Sequence, residues 1–123
     1  MPRRLRVLVV DDNTDTVKSL ALLLEREGYE TKGVYSAQSI LTDVAEFDPD
    51  VIIMDIAMPG PSGCEAAINV REKTANKRPV LIAVTGHYIR GTDKVVAEIS
   101  GFDHVLMKPI EPATLLGLIS RYT

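Results

Sequence analysis

The chain alternates five short apolar runs with longer segments of helical apolar spacing, and this alternation constrains its fold more than any other feature. The runs are rich in valine, leucine and isoleucine, and most are apolar along their length, as in strands that helices cover on both faces. Strands that alternate with helices indicate a parallel sheet. The predicted strands are 5–10, 29–34, 50–55, 78–85 and 103–108, of which 29–34 has the weakest pattern.

Helical spacing is clearest in segment 14–27, where the apolar residues from Val17 to Leu24 fall on one face. Gly28 follows at the position of a helix C-terminal glycine. A second helix is predicted to begin at Ser36, because serine is a favourable N-cap residue. Its predicted apolar stripe is Ile40, Leu41 and Val44.

Three further helices are predicted in the second half of the chain. Ser62 and Glu65 have the spacing of a capping box at the start of the third. A fourth lies around 92–100 and ends at Gly101, and the last has Pro112 in its first turn. The predicted stripe of the last helix is Leu115, Leu118, Ile119 and Tyr122.

These elements predict an α/β fold with a single domain, residues 1–123. The expected architecture is a doubly wound five-stranded parallel sheet of order 2-1-3-4-5, the flavodoxin-like (βα)5 arrangement. Right-handed crossovers then place the first and last helices on one face of the sheet and the middle three on the other.

Composition excludes several classes of protein. A net charge of −3 without a basic stripe argues against direct nucleic-acid binding. No apolar run has the length of a membrane span, and no signal peptide is indicated, so no direct membrane contact is expected. Cys64 is the single cysteine and cannot form an internal disulfide, which fits a reducing cytoplasm.

Charged and hydroxyl side chains stand where four of the predicted strands end. Asp11 and Asp12 follow the first strand, and Asp55 ends the third. In the predicted order these two strands are neighbours at the point where the winding reverses, which is where such sheets bind ligands. Clustered carboxylates repel one another unless a cation joins them, and Mg²⁺ is typically held by carboxylates. Thr85 and Lys108 end the next two strands and would complete a site for a phosphoryl group.

Each of these residues also has a purely structural interpretation. The Asp11–Asn13 stretch can cap the first helix, and Asp55 can belong to the turn that follows it. Thr85 and Lys108 can simply end their strands. Three carboxylates, a hydroxyl and an amine on one edge of the sheet together favour a functional site over the structural interpretation.

Four segments resemble the signature segments of response-regulator receiver domains, in the same order and at closely similar spacing. The resemblance spans essentially the whole chain. The segments are VLVVDDN (7–13), DVIIMDIAMPGPSG (50–63), LIAVTG (81–86) and GFDHVLMKP (101–109).

The resemblance implies a role for each matching residue. Asp55 would be the phosphoacceptor and, with Asp11 and Asp12, a ligand of Mg²⁺, for which Mn²⁺ is the alternative ion. Asp12 would bind the ion directly, Asp11 mainly through water, and the backbone carbonyl of Ala57 would be a further ligand. The remaining roles fall on the last two strand ends. Thr85 and Lys108 would bind phosphoryl oxygens and act as switch residues, and the Lys108–Pro109 peptide bond would be cis.

Val105 departs from the pattern of the family. Many receiver domains carry Tyr or Phe three residues before the lysine, so the aromatic switch position is degenerate here. His104 stands one place earlier and is expected on the opposite face of its strand. We therefore expect that a phosphorylation signal leaves by a route other than the turning of an aromatic ring.

The sequence thus predicts a phosphoacceptor receiver domain of a two-component system or phosphorelay, which catalyses only its own phosphorylation and dephosphorylation. Its partners would be a sensor histidine kinase or phosphotransfer protein and a downstream protein that the sequence does not name. The chain would be a stand-alone regulator or, with slight preference, the receiver module of a hybrid histidine kinase. A homodimer through the face formed by 92–100, 103–108 and the last helix stays open.

Two other functions compete with this interpretation. A phosphorylation-independent interaction module could keep the same fold, and Val105 favours it. A true enzyme or flavin carrier fits less well. A haloacid-type phosphohydrolase needs an aspartate where Ala57 stands, and a flavodoxin needs a Ser/Thr/Gly-rich loop in place of DDNTD (11–15).

Overall fold

The computed structural model of the protein describes residues 4–56, 63–74, 77, 79–85 and 101–123. Ser62 and the helix predicted around 92–100 lie outside these ranges. The strands are β1 (Arg6–Val10), β2 (Glu30–Val34), β3 (Val51–Asp55), β4 (Val80–Thr85) and β5 (His104–Met107). The helices are α1 (Thr14–Arg26), α2 (Ile40–Phe47), α3 (Gly63–Lys73) and α4 (Pro112–Ser120).

The five strands form one parallel sheet of order β2-β1-β3-β4-β5, which confirms the predicted topology. In the middle of the sheet, Val7 of β1 is aligned with Thr31 on one side and with Val51 on the other. The winding reverses between β1 and β3, so the carboxyl ends of these two strands lie side by side at one edge of the sheet, with a crevice outside them.

Alternate residues of each strand enter two separate apolar clusters. The α1/α4 cluster contains Val7, Val9, Val17, Leu20, Leu24, Val51, Ile53, Ile82, Val84, Leu115, Leu118 and Ile119. The α2/α3 cluster contains Leu8, Val10, Val34, Ala37, Ile40, Val44, Ile52, Met54, Ala66, Ala67, Val70, Leu81, Ala83 and Phe102. Because helices cover both faces of the sheet, the two neighbouring central strands are continuously apolar over Val7–Val10 and Val51–Met54.

Helix α1 begins and ends with well-defined caps. The side chain of Asn13 accepts a hydrogen bond from the Thr16 amide at 3.1 Å. At the other end Gly28 has a φ of 89°, and its amide donates to Glu25 while the Tyr29 amide donates to the Leu24 carbonyl. These bonds form a Schellman motif, and they confirm Gly28 as the predicted C-terminal glycine of the helix.

The predicted start of the second helix is wrong. Helix α2 begins at Ile40, and Ser36 instead accepts a hydrogen bond from the Gln38 amide at 3.1 Å within a preceding turn. A serine that bonds a nearby backbone amide favours such a turn over a helix. Leu41, predicted to lie in the apolar stripe, is 37% exposed, because it lies about 100° around the helix from the buried Ile40.

The last helix ends earlier than its predicted stripe. Leu115, Leu118 and Ile119 are buried as expected, but α4 ends at Ser120. Tyr122 lies beyond the helix and is 41% exposed.

Candidate functional site

Three aspartates meet at the carboxyl edge of β1 and β3. Asp55 is the last residue of β3, and Asp11 and Asp12 follow β1 directly. Asp11 is 3% exposed and Asp55 is 7% exposed, whereas Asp12 is exposed. One carboxylate oxygen of each residue lies within 4.8 Å of those of the other two. The structure therefore brings together acids that are 44 positions apart in the chain.

Lys108 supplies the positive charge of this cluster. Its Nζ donates to Asp11 Oδ2 at 2.7 Å and to Asp55 Oδ2 at 3.0 Å. Burial lowers the pKa of the ammonium, but its hydrogen bonds to Asp11 and Asp55 and their negative charges more than offset this, so the pKa of Lys108 is raised. One ammonium thus holds two buried carboxylates that would otherwise repel each other.

Asn13 positions Asp11 from the other side, a role that the sequence reasoning missed. The Asn13 amide donates to Asp11 Oδ1 at 2.9 Å, while the amide of Asp11 donates to the Val34 carbonyl at 3.0 Å. Asn13 alone is the N-cap of α1, so the capping interpretation holds for it and not for Asp11. The Asp-x-Asn spacing that permits such a turn was the available signal.

The donor set fits a hard divalent cation. Carboxylate oxygens are the ligands that Mg²⁺ and Mn²⁺ prefer. Two opposite oxygens bound to one Mg²⁺ lie about 4.2 Å apart, close to the 4.8 Å within which the oxygens of Asp11, Asp12 and Asp55 lie. The spacing of the three oxygens is thus compatible with one shared ion.

Thr85 lies beside Lys108 at the same edge. Thr85 is the last residue of β4 and is partly buried, and its carbonyl accepts a hydrogen bond from the Lys108 amide at 2.7 Å. The Lys108–Pro109 peptide bond is cis. Ala57, predicted to offer a carbonyl ligand, lies outside the described residues.

The sequence profile of the response regulator receiver domain family matches residues 7–120, nearly the whole chain. The chain belongs to this family. A receiver domain is a signalling domain rather than a conventional enzyme.

This receiver domain matches some relatives over most of their length and others over only part of it. A 14.6 kDa protein encoded in the sodA1 3′ region of Leptolyngbya boryana is 35% identical over 116 residues, which are 94% of this chain and 88% of that protein. The DNA-binding response regulator MtrA of Mycobacterium tuberculosis is 31% identical over 94% of this chain and 49% of MtrA. The chain thus spans about half the length of MtrA.

Solved structures support the same assignment. The crystal structure of a CheY-like receiver domain protein from Methanospirillum hungatei superposes with a TM-score of 0.89 at 29% identity. The superposition covers 98% of this receiver domain and 94% of that chain. Among the described residues, no helix is long and apolar enough to cross a membrane.

Val105 and His104 face opposite sides of the receiver sheet, as strand alternation predicted. Val105 is partly buried and packs against the α2/α3 cluster. His104 Nε2 lies 2.7 Å from the hydroxyl of Tyr122, which follows α4 on the other side. Val105 thus presents only methyl groups to the apolar cluster that it contacts.

A cavity of about 540 Å³ opens beside Lys108. On one side it is lined by polar side chains of α1, among them Asp15 and Ser19, and on the other by Pro109 and Ile110. It therefore places an open, partly polar surface next to the ammonium that contacts Asp55.

Proposed function

We propose that this receiver domain accepts a phosphoryl group on Asp55 from a phosphohistidine of a sensor histidine kinase or phosphotransfer protein, in a Mg²⁺-dependent reaction. The observation that carries the proposal is the contact of Asp55 Oδ2 with Lys108 Nζ at 3.0 Å, within a cluster that also contains Asp11 and Asp12. The membership of the family supports it.

The transfer uses Asp55 as the nucleophile. A carboxylate oxygen of Asp55 forms a bond to phosphorus while the phosphorus–nitrogen bond of the donor breaks, and the electron pair of that bond stays on the donor imidazole. A carboxylate is a weak nucleophile, so the rate depends on positioning and on charge stabilisation. Burial at the end of β3 and the contact with Lys108 provide this positioning.

Charge stabilisation is divided between a cation and the residues of the chain. Asp11, Asp12 and Asp55 would hold Mg²⁺, which would neutralise negative charge on the phosphoryl group. Lys108 already lies within hydrogen-bond distance of Asp55, so its ammonium can follow a phosphoryl oxygen with a small movement. Thr85 ends the neighbouring strand and would donate its hydroxyl to another phosphoryl oxygen.

Phosphorylation would then change the state of the domain. It adds charge and acceptor oxygens at Asp55. Lys108 and Thr85 would be drawn toward this charge, and the strands that carry them would move with them. A downstream partner would recognise the new arrangement.

The donor would approach over the cavity beside Lys108. Asp15 and Ser19 of α1 and Ile110 line this cavity and would contact the partner that carries the phosphohistidine. A cytoplasmic location and a homodimer remain predictions of the sequence.

Incubation with acetyl phosphate and Mg²⁺, followed by intact-mass measurement, tests the proposal. The wild type should gain one phosphoryl group, and Asp55→Asn should gain none. Asp43→Asn is the matched control, since Asp43 is a carboxylate of α2 that bonds Ser39 away from the site. Removal of the metal with EDTA should abolish the adduct in the wild type and in Asp43→Asn.

The absence of any adduct on the wild type with Mg²⁺ present would contradict the proposal. That result would favour the phosphorylation-independent interaction module, for which the apolar contact of Val105 is the supporting observation.

A further inference from the structure

A hydrogen-bonded side chain lies at the start of strand β5, and another lies directly after its end. His104 is its first residue, and the imidazole Nε2 lies 2.7 Å from the hydroxyl of Tyr122. The two rings also meet edge to face, with centroids 6.0 Å apart. Lys108 follows the last residue of the strand and contacts Asp11 and Asp55. A single short strand therefore joins the carboxylate cluster to the residues that follow α4.

The position of β5 in the sheet allows it to move as one body. In the described sheet it is an edge strand that pairs with β4 alone. The amide of Lys108 donates to Thr85 at 2.7 Å and that of Asp103 donates to Leu81 at 2.8 Å, so the pairing extends past both ends. An extended chain rises about 3.3 Å per residue and hardly stretches, so a displacement at Lys108 reaches His104, about 13 Å away.

The contact of His104 with Tyr122 is well suited to respond to such a displacement. Tyr122 is 41% exposed, so its hydroxyl can exchange the imidazole for water at small net cost. Helix α4 itself is anchored by the buried Leu115 and Ile119. The amide of Tyr122 also donates to the Ile119 carbonyl at 2.9 Å, so the exposed side chain of Tyr122, rather than its backbone, is the part that can change its contacts.

We propose that β5 relays the phosphorylation state of Asp55 to Tyr122 through Lys108 and His104. The relay rests on the function proposed above. When Lys108 follows the phosphoryl group, β5 moves with it and the hydrogen bond between His104 and Tyr122 changes. The resulting conformational change then occurs at residues 121–123, on the α1/α4 side of the sheet and opposite to Val105.

Linkage makes the relay measurable from either end. If a phosphoryl group at Asp55 alters the hydrogen bond of Tyr122, removal of that bond must in turn alter the affinity of the site for a phosphoryl mimic. A hydroxyl with a purely local structural role would leave this affinity unchanged.

The experiment titrates the wild type, Tyr122→Phe, His104→Phe and Tyr29→Phe with beryllofluoride at constant Mg²⁺. Binding is followed by NMR of the histidine rings and backbone amides. His104→Phe assigns the His104 signal. Tyr29→Phe is the matched control, since it also removes a phenol hydroxyl beside the α1/α4 cluster. We expect the His104 ring signal to shift on binding in the wild type. The binding midpoint should change by about fivefold in Tyr122→Phe and His104→Phe, a modest allosteric coupling, and should not change in Tyr29→Phe.

Two results would overturn the relay. If the mimic binds while the His104 signal stays in place and all midpoints agree, the relay is wrong and the proposed phosphoacceptor function stands. If the wild type neither binds the mimic nor forms an adduct with acetyl phosphate, the proposed function fails and the relay fails with it.

Discussion

Asp11 and Asp55 are two almost fully buried carboxylates that share one ammonium, and this arrangement decides what substitutions of single residues will do. Removal of one partner from a buried charge cluster leaves the other charges uncompensated. The same removal at an exposed ion pair has little effect, because water screens the charges.

Lys108→Met should lower the free energy of unfolding in metal-free buffer by about 2 kcal/mol, because two buried carboxylates lose a charged hydrogen-bond donor. Lys77→Met is the control, since Lys77 forms ion pairs with Asp48 and Asp50 outside the site, and it should cost about 0.5 kcal/mol. Urea unfolding followed by circular dichroism measures both. Equal losses in the two variants would show that Lys108 does not hold the cluster together.

The raised pKa of Lys108 also predicts a dependence of stability on pH. A folded-state pKa above the unfolded value means that the stabilisation is fully present below about pH 10.4 and is lost as the pH rises through the folded pKa. The unfolding free energy of the wild type should therefore fall more steeply above pH 10 than that of Lys108→Met, again without metal. Parallel curves for the two proteins would contradict this assignment.

At the scale of elements, α1 is positioned by its cap and by its close approach to β2. Asn13 caps the helix through its side chain and holds Asp11 through its amide. At Gly33 an added Cβ would collide with Cγ1 of Val17, so β2 can approach α1 this closely only with glycine. The helix that begins beside the acidic cluster is thus oriented by contacts at two places.

Asn13→Ala should cost about 1 kcal/mol of stability, because the Thr16 amide loses its acceptor. Ser39→Ala provides a comparison, since Ser39 is the N-cap of α2 and makes no capping hydrogen bond with its side chain. That variant should lie within about 0.5 kcal/mol of the wild type. A loss of similar size at both positions would mean that the side-chain cap of Asn13 is not what stabilises α1.

Two glycine-to-alanine substitutions should change the free energy of unfolding in opposite directions. Gly33→Ala forces Val17 and α1 away from β2 and should destabilise by about 2 kcal/mol. Gly117→Ala adds a Cβ to open space in the helix α4 and should stabilise by about 0.5–1 kcal/mol through helix propensity. Thermal unfolding of both variants checks the pair, and stabilisation by Gly33→Ala would refute the close contact.

At the scale of the whole molecule, a cation held by the acidic cluster would couple its binding to folding. The acids of the cluster come from the ends of β1 and β3, and unfolding separates them. An ion that binds only the folded chain raises the free energy of unfolding as its concentration rises.

Mg²⁺ at about ten times its dissociation constant should therefore stabilise the wild type by about 1.4 kcal/mol. Asp12→Asn should lose most of this gain, while its stability without metal should change little because Asp12 is exposed. Asp43→Asn should keep the full gain. Differential scanning calorimetry with and without Mg²⁺ measures the effect, and an equal gain in Asp12→Asn would exclude Asp12 as a ligand.

Most of the fold follows from local pattern. The runs Val7–Val10 and Val51–Met54 are apolar throughout because helices cover both faces of the sheet at its centre. Such runs separated by helices admit few topologies. The start of α2 could not be predicted in this way. Ser36 and Ser39 are both acceptable caps, and the choice between them depends on which apolar residues reach the core.

The sequence by itself determined the alternation of strands and helices and the two-sided core, because strand period and crossover handedness are local or general properties. It predicted the strand order only as the commonest one for five such units, and that order then places Asp11, Asp12, Asp55 and Lys108 at one edge. Tertiary structure alone decided that Lys108 bridges Asp11 and Asp55, that Asn13 orients Asp11, and that His104 meets Tyr122. These contacts join side chains from separate elements over a few ångströms. Such distances are set only when the whole core is packed, which no local pattern encodes.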